Sequence, residues 1–163
     1  MNKVNGKKSS FAPVRNDGTR ITICYGLKQL NGDLYEWREV YLPKKQTNSL
    51  TLADIKSAII GDIDERTKTA IIGGFKWQEK PVWLSIENQI NFTTATAPCR
   101  LKIGEETDGT PVYHDFETKA ALKAFNDACL AWKNVCLEAG RSEKEGIDWT
   151  PYAEALQPVT TED

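Results

Sequence analysis

The spacing of hydrophobic positions changes period several times along the chain, and each change marks an element. Ile21-Thr22-Ile23-Cys24-Tyr25 and Leu34 to Leu42 are β-branched and aromatic runs separated by the turn signal Asn31-Gly32-Asp33, which predicts a hairpin. In its second strand Tyr35, Trp37, Glu39 and Tyr41 share one face, so an aromatic row is offered for burial. Pro43 closes that strand, and a Ser or Thr between Ser49 and Thr51 caps a helix. There Leu52, Ile55, Ile59 and Ile63 recur at threes and fours until Gly73-Gly74.

The same grammar repeats twice. Phe75-Lys76-Trp77 and Pro81 to Leu84 flank Gln78-Glu79-Lys80 as a second hairpin, and Ser85 caps a short helix with Ile86, Ile90 and Phe92 on its apolar side. A third hairpin joins Arg100–Ile103 to Thr110–Phe116 through Glu105 to Gly109. A long helix then runs from about Thr118 to Ala139, burying Leu122, Phe125, Cys129, Trp132, Cys136 and Ala139, with Gly140 as its stop. Beside that stripe Ala121, Ala124, Ala128, Ala131 and Val135 form a row of mostly small residues that another element could approach. The expectation is an α+β fold of antiparallel β-hairpins each followed by a helix, with the helices packed on one face of the sheet over a single core.

Outside this pattern, residues 1–20 are rich in Lys, Asn, Ser and Gly, hold Pro13 and Asn16-Asp17-Gly18, and show no apolar period. They read as a basic flexible arm, followed by one α+β domain over 21–157 and an acidic tail over 158–163. Charge agrees with that division. The 163 residues carry a net charge of only -2, but residues 1–20 hold five bases against Asp17 and residues 138–163 hold seven acids against Arg141 and Lys144. With 40% hydrophobic and 27% charged residues and a mean hydropathy of -0.49, the chain reads as globular. No run reaches the length of a spanning helix and Met1 to Lys8 lack the apolar segment of a secretory signal, so no membrane partner is expected.

Candidate chemistry adds little. Cys24, Cys99, Cys129 and Cys136 lack metal-ligand spacing, and His114 stands alone, so free thiols and no metal are expected. Neither a phosphate-cradling loop nor a dinucleotide fingerprint is present, so no cofactor is expected. His114 and Asp115 are adjacent on a strand and point to opposite faces, which gives no acid–base pair. The chain reads as non-enzymatic. The dispersed charges of the arm lack aromatic interleaving, so nucleic acid is not the expected partner.

One cluster stands out. Trp77, Trp83, Glu87, Asn88, Gln89, Asn91 and Phe92 fall within sixteen positions. Rings beside amides suit a carbohydrate or peptide site. The alternative, which we prefer at this level, is that Trp77 and Trp83 anchor the core while Asn88 and Gln89 satisfy backbone groups where strand meets helix.

Gly74-Phe75-Lys76-Trp77, Val82-Trp83-Leu84-Ser85, Glu87-Asn88-Gln89 and Asn91-Phe92, followed by Pro111 to Thr118 and Ile147-Asp148-Trp149, resemble a domain family encoded in the tail-fibre regions of phages and prophages, including those of gut Bacteroidales. The resemblance spans roughly residues 70–155. It carries no catalytic residue; it implies a structural or adaptor protein of the virion, associated with tail, fibre or baseplate. Such a protein would dock to other phage structural proteins, or to copies of itself, and would reside in the virion and, during assembly, in the host cytoplasm. The alternative is a tail-fibre assembly chaperone or another intracellular phage factor. On either reading the expected partner-binding residues are Lys3, Lys7, Lys8, Arg15 and Arg20 of the arm with Tyr35, Trp37 and Tyr41 of the aromatic row.

Overall fold

A computed structural model describes residues 2–43 and 50–157; Ser49 and the acidic segment 158–163 lie outside the described residues. The chain folds as α+β, and the order of hairpin then helix holds three times. In sequence the elements are β1 (Asn2–Lys7), β2 (Val14–Asn16), β3 (Arg20–Asn31), β4 (Leu34–Pro43), α1 (Leu52–Gly73), β5 (Phe75–Trp77), β6 (Lys80–Val82), α2 (Ile86–Thr94), β7 (Cys99–Glu105), β8 (Pro111–Phe116), α3 (Lys119–Glu145) and α4 (Thr150–Glu154). They divide into two compact units, residues 1–63 with 144–163, and residues 64–143. Each has its own core, where the sequence pattern suggested a single one.

The first unit is an antiparallel sheet in the order β1-β4-β3-β2. Residues 1–20, expected as a free arm, supply both of its edges: β1 pairs with β4, placing Val4 opposite Trp37, and β2 pairs with β3, placing Val14 opposite Ile23. Ile21, Ile23 and Tyr25 point to one face and meet Ile55, Ile59 and Ile63 of α1 and Tyr152 of α4. Each fully buried isoleucine contributes about 1.5–3 kcal/mol. The Tyr152 hydroxyl donates to the Cys24 carbonyl at 2.9 Å, tying the last helix to the sheet. At the start of α1, Thr51 Oγ1 accepts from the Asp54 amide at 3.2 Å and the Asp54 carboxylate accepts from the Thr51 amide at 3.0 Å, a reciprocal cap.

The aromatic row does not join this core. Trp37 and Glu39 lie on the opposite face of the sheet with Thr22 and Cys24, and Phe11 sets its ring edge-on to Trp37 at 6.1 Å. The row is thus buried partly by the N-terminal segment rather than by a helix.

In the second unit the hairpins β5–β6 and β7–β8 abut, with the Trp83 amide donating to the Ile103 carbonyl at 2.8 Å. A side chain at Gly104 would fall 2.3 Å from the Pro81 carbonyl oxygen, so that approach requires glycine. The β5–β6 turn places Gln78 and Glu79 at φ of 49° and 64°, the geometry that lets a two-residue loop follow the twist of its strands. Phe125 of α3 sits among Trp77, Phe92 and Phe116 with ring centroids 5.0–5.5 Å away.

Helix α3 departs from expectation at two places. It does not stop at Gly140 but continues to Glu145, and Gly140 is buried so close to α1 that a Cβ there would stand 2.3 Å from Thr67 Oγ1. Around that crossing, the Trp132 indole donates to the Ala70 carbonyl at 3.1 Å and Arg66 pairs with Glu143 at 2.6 Å. Ala139 is exposed and Trp132 only half-buried, so the buried stripe is Leu122, Phe125, Cys129, Cys136 and Gly140. In the small-residue row Ala121, Ala124, Ala131 and Val135 are exposed, and only Ala128 is half-buried.

Candidate functional site

The expected docking residues of the first unit are largely engaged within the protein. Lys3 Nζ is 2.9 Å from Glu36, and Arg20 pairs with Asp17 at 3.3 Å while its guanidinium covers the Tyr41 ring at 4.2 Å. Trp37 is only 2% exposed; Tyr35 is half-buried, and Tyr41 remains partly open. Lys7 and Lys8 are exposed and make no ion pair among the described residues. What brings Arg15, Trp37 and Tyr41 together is Glu39, a residue the sequence reading left as part of the row. Its carboxylate accepts from Arg15, from the Trp37 indole at 3.2 Å and from the Tyr41 hydroxyl at 3.1 Å. Burial works to raise its pKa, but these donors outweigh burial and hold the carboxyl below its ordinary range.

Three open features lie in the second unit. An apolar groove of about 460 Å³ lies between the C-terminal half of α1, α2 and α3, walled by Ile71, Ile72, Leu84, Ile86 and Leu137, with Asp64, Lys68 and Lys133 among its polar lining. A smaller depression of about 230 Å³, bordered by Cys129 and Leu130, shares Leu84, Gln89 and Lys133 with it. The Lys133 Nζ to Gln89 Oε1 bond of 3.0 Å forms the sill between the two. Ile86 and Ile90, expected on the buried side of α2, are instead 79% and 55% exposed, whereas Phe92 is buried. On α3, Leu130, Val135 and Leu137 are exposed as well. For Leu130 and Leu137 the signal was present as apolar residues outside the expected stripe of α3; that Ile86 and Leu137 line one groove needed the fold.

The third feature is a polar cleft of about 690 Å³ between α2 and β7. Trp83, expected in the core, is 41% exposed and lines it with Glu87, Asn88, Asn91, Arg100 and Glu105. The amide reading is correct for two residues: Asn88 Nδ2 donates to the Trp83 carbonyl at 2.9 Å and Gln89 Nε2 to the Leu84 carbonyl at 2.6 Å. Trp77 packs on Phe125 in the core, away from the cleft lining, and its buried indole nitrogen finds no partner among the described residues. Arg100 and Glu105 escaped sequence reasoning, because only the meeting of α2 with the third hairpin puts them there.

His114 lies half-buried with its ring 4.6 Å from that of Phe116, and Asp115 pairs with Arg100 at 3.8 Å. Among the described residues no group of three or more His, Cys, Asp and Glu side chains is arranged to hold a metal, and no helix is long and apolar enough to cross a membrane. The four cysteines are free. No protein-family model matches the chain, and neither the curated proteins nor the solved structures yield a match.

Proposed function

We propose that this chain is a structural or adaptor protein of a phage particle, in its tail, fibre or baseplate region, and that it acts by docking to another virion subunit through the groove between α1, α2 and α3. The observation that carries docking is the exposure of Ile86 on α2 and Leu137 on α3, which line one groove. Apolar side chains left in water on adjoining helices are stabilised when a partner covers them. The phage context comes from the resemblance over residues 70–155, which includes α2 and α3.

The occupant is an amphipathic helix of the neighbouring subunit. A trough walled by helices takes an apolar helical face, and an acidic residue flanking that face would complement Lys133, whose partner within the chain is the uncharged Gln89. Because Ile86 and Leu137 are exposed, Ile86→Asp and Leu137→Asp should each change stability by no more than about 0.5 kcal/mol.

Mass spectrometry of purified particles tests the reading. The chain should be present in mature virions, and the two aspartate variants should melt normally yet be lost from particles. A chain found in infected cells but absent from virions would overturn the structural role in favour of an assembly chaperone. Variants that incorporate normally would show that the interface lies elsewhere.

A further inference from the structure

The geometry of the cleft between α2 and β7 points to a binding site for uncharged carbohydrate, with Trp83 as the apolar platform for a sugar ring and Glu87 and Asn91 as partners for its hydroxyls. The volume, about 690 Å³, is within the range of small-ligand sites. Trp83 is exposed yet fixed in place. Its side chain is open to solvent, while its backbone is held on both sides, the amide by the Ile103 carbonyl at 2.8 Å and the carbonyl by Asn88 Nδ2 at 2.9 Å. An exposed indole on a pinned backbone offers flat apolar area at low entropic cost of ordering.

The polar lining selects the ligand class. The Glu87 carboxylate and the Asn91 side-chain amide make no hydrogen bond among the described residues, so one strong acceptor and one group that both donates and accepts are free. A hydroxyl can answer either. Each cation of the cleft has an acidic neighbour: Arg100 lies 3.8 Å from Asp115 and 5.0 Å over the Tyr113 ring, and Lys102 pairs with Glu105 at 2.5 Å. With Glu87 also present, the cleft has no surplus positive charge to hold an anion. Nor does it offer a strand edge to an extended peptide at this point, since β7 is paired with β8 on one side and its Ile103 carbonyl is taken by Trp83 on the other.

This inference does not rest on the docking groove. The test is saturation-transfer-difference NMR on the full chain with a panel of cellotetraose, mannotriose, chitotetraose, sialyllactose and a neutral hexapeptide, followed by titration of whatever binds. At least one neutral oligosaccharide should give saturation transfer. Trp83→Ala should weaken it at least about tenfold while Trp83→Phe retains most of it, and Asn91→Ala should weaken it without moving the melting temperature. Leu137→Asp should leave it unchanged, which separates failure of the groove from failure of the cleft. Binding of none of the neutral sugars, binding confined to sialyllactose or the peptide, or equal binding by wild type and Trp83→Ala would overturn the assignment.

Discussion

Replacing Gly140 by alanine should destabilise the protein, although alanine is the better helix former. In an exposed helix interior the exchange would gain about 1 kcal/mol. Here the added Cβ would stand 2.3 Å from Thr67 Oγ1 and 3.3 Å from Thr67 Cβ and Cγ2. Threonine is β-branched and stiff on a helix, so rotating its hydroxyl away brings another substituent toward the same space. The segments of α1 and α3 around this crossing would have to part, disturbing the Trp132–Ala70 and Arg66–Glu143 bonds that flank it. Overpacking of this kind costs about 1–3 kcal/mol, which leaves a net loss of about 0–2 kcal/mol after the helix-propensity gain.

The assay is a double-mutant cycle with Thr67→Ala, read by urea denaturation. Thr67→Ala removes Oγ1 and Cγ2 and leaves only the Cβ at 3.3 Å. In that background Gly140→Ala should become neutral or stabilising, with a coupling energy of about 1–3 kcal/mol between the sites. If Gly140→Ala stabilises the wild type by its full propensity value, or if Thr67→Ala leaves its effect unchanged, the close crossing is wrong.

Two further outcomes are expected. Because the folded-state pKa of Glu39 is lowered, its contribution to stability is complete above the unfolded-state value and lost as pH falls through the lower folded one; Glu39→Gln should therefore flatten the acid limb of a stability–pH curve, and a limb as steep as wild type would refute the role given to this carboxylate. Burial pushes the Cys129 thiol up to about 12 and also raises Cys24 and Cys136, whereas Cys99 is half-buried. An aromatic disulfide reagent should therefore modify Cys99 first in the native protein and the other three only in denaturant; an unchanged native rate in Cys99→Ser would contradict this.

The hairpins and the helix starts were legible because their determinants are local. Asn31-Gly32-Asp33, the Ser85 cap and the Ile55-Ile59-Ile63 spacing each act within a few residues. Strand β1 was not legible: Asn2–Lys7 presents Val4 as its one large apolar residue, and it is recruited by the backbone ladder to β4 rather than by an apolar pattern. Gly140 misled for a related reason, since a glycine after an apolar stripe resembles a terminus unless the opposing Thr67 is known. At the candidate sites, periodicity could show that Ile86 and Ile90 share a helix face but not that the described residues leave that face open. The residue types of the polar cleft were visible, but not the placement of Trp83 against β7, which its amide makes through Ile103, twenty positions away.

The division of the chain has a consequence for its synthesis. The first unit is made from residues 1–63 together with 144–163, so the entire second unit is an insertion between its two parts. When β4 and the start of α1 leave the ribosome, Tyr152, whose hydroxyl secures the Cys24 carbonyl, has not yet been translated. Residues 64–143 are all translated before it, the last of them only nine positions ahead of Tyr152. The isoleucine-rich sheet face thus meets Ile55, Ile59 and Ile63 of α1 early, but Tyr152 reaches it only after the translation of some eighty further residues. A nascent-chain quality-control factor would meet the first unit with α1 in place but its last helix still missing.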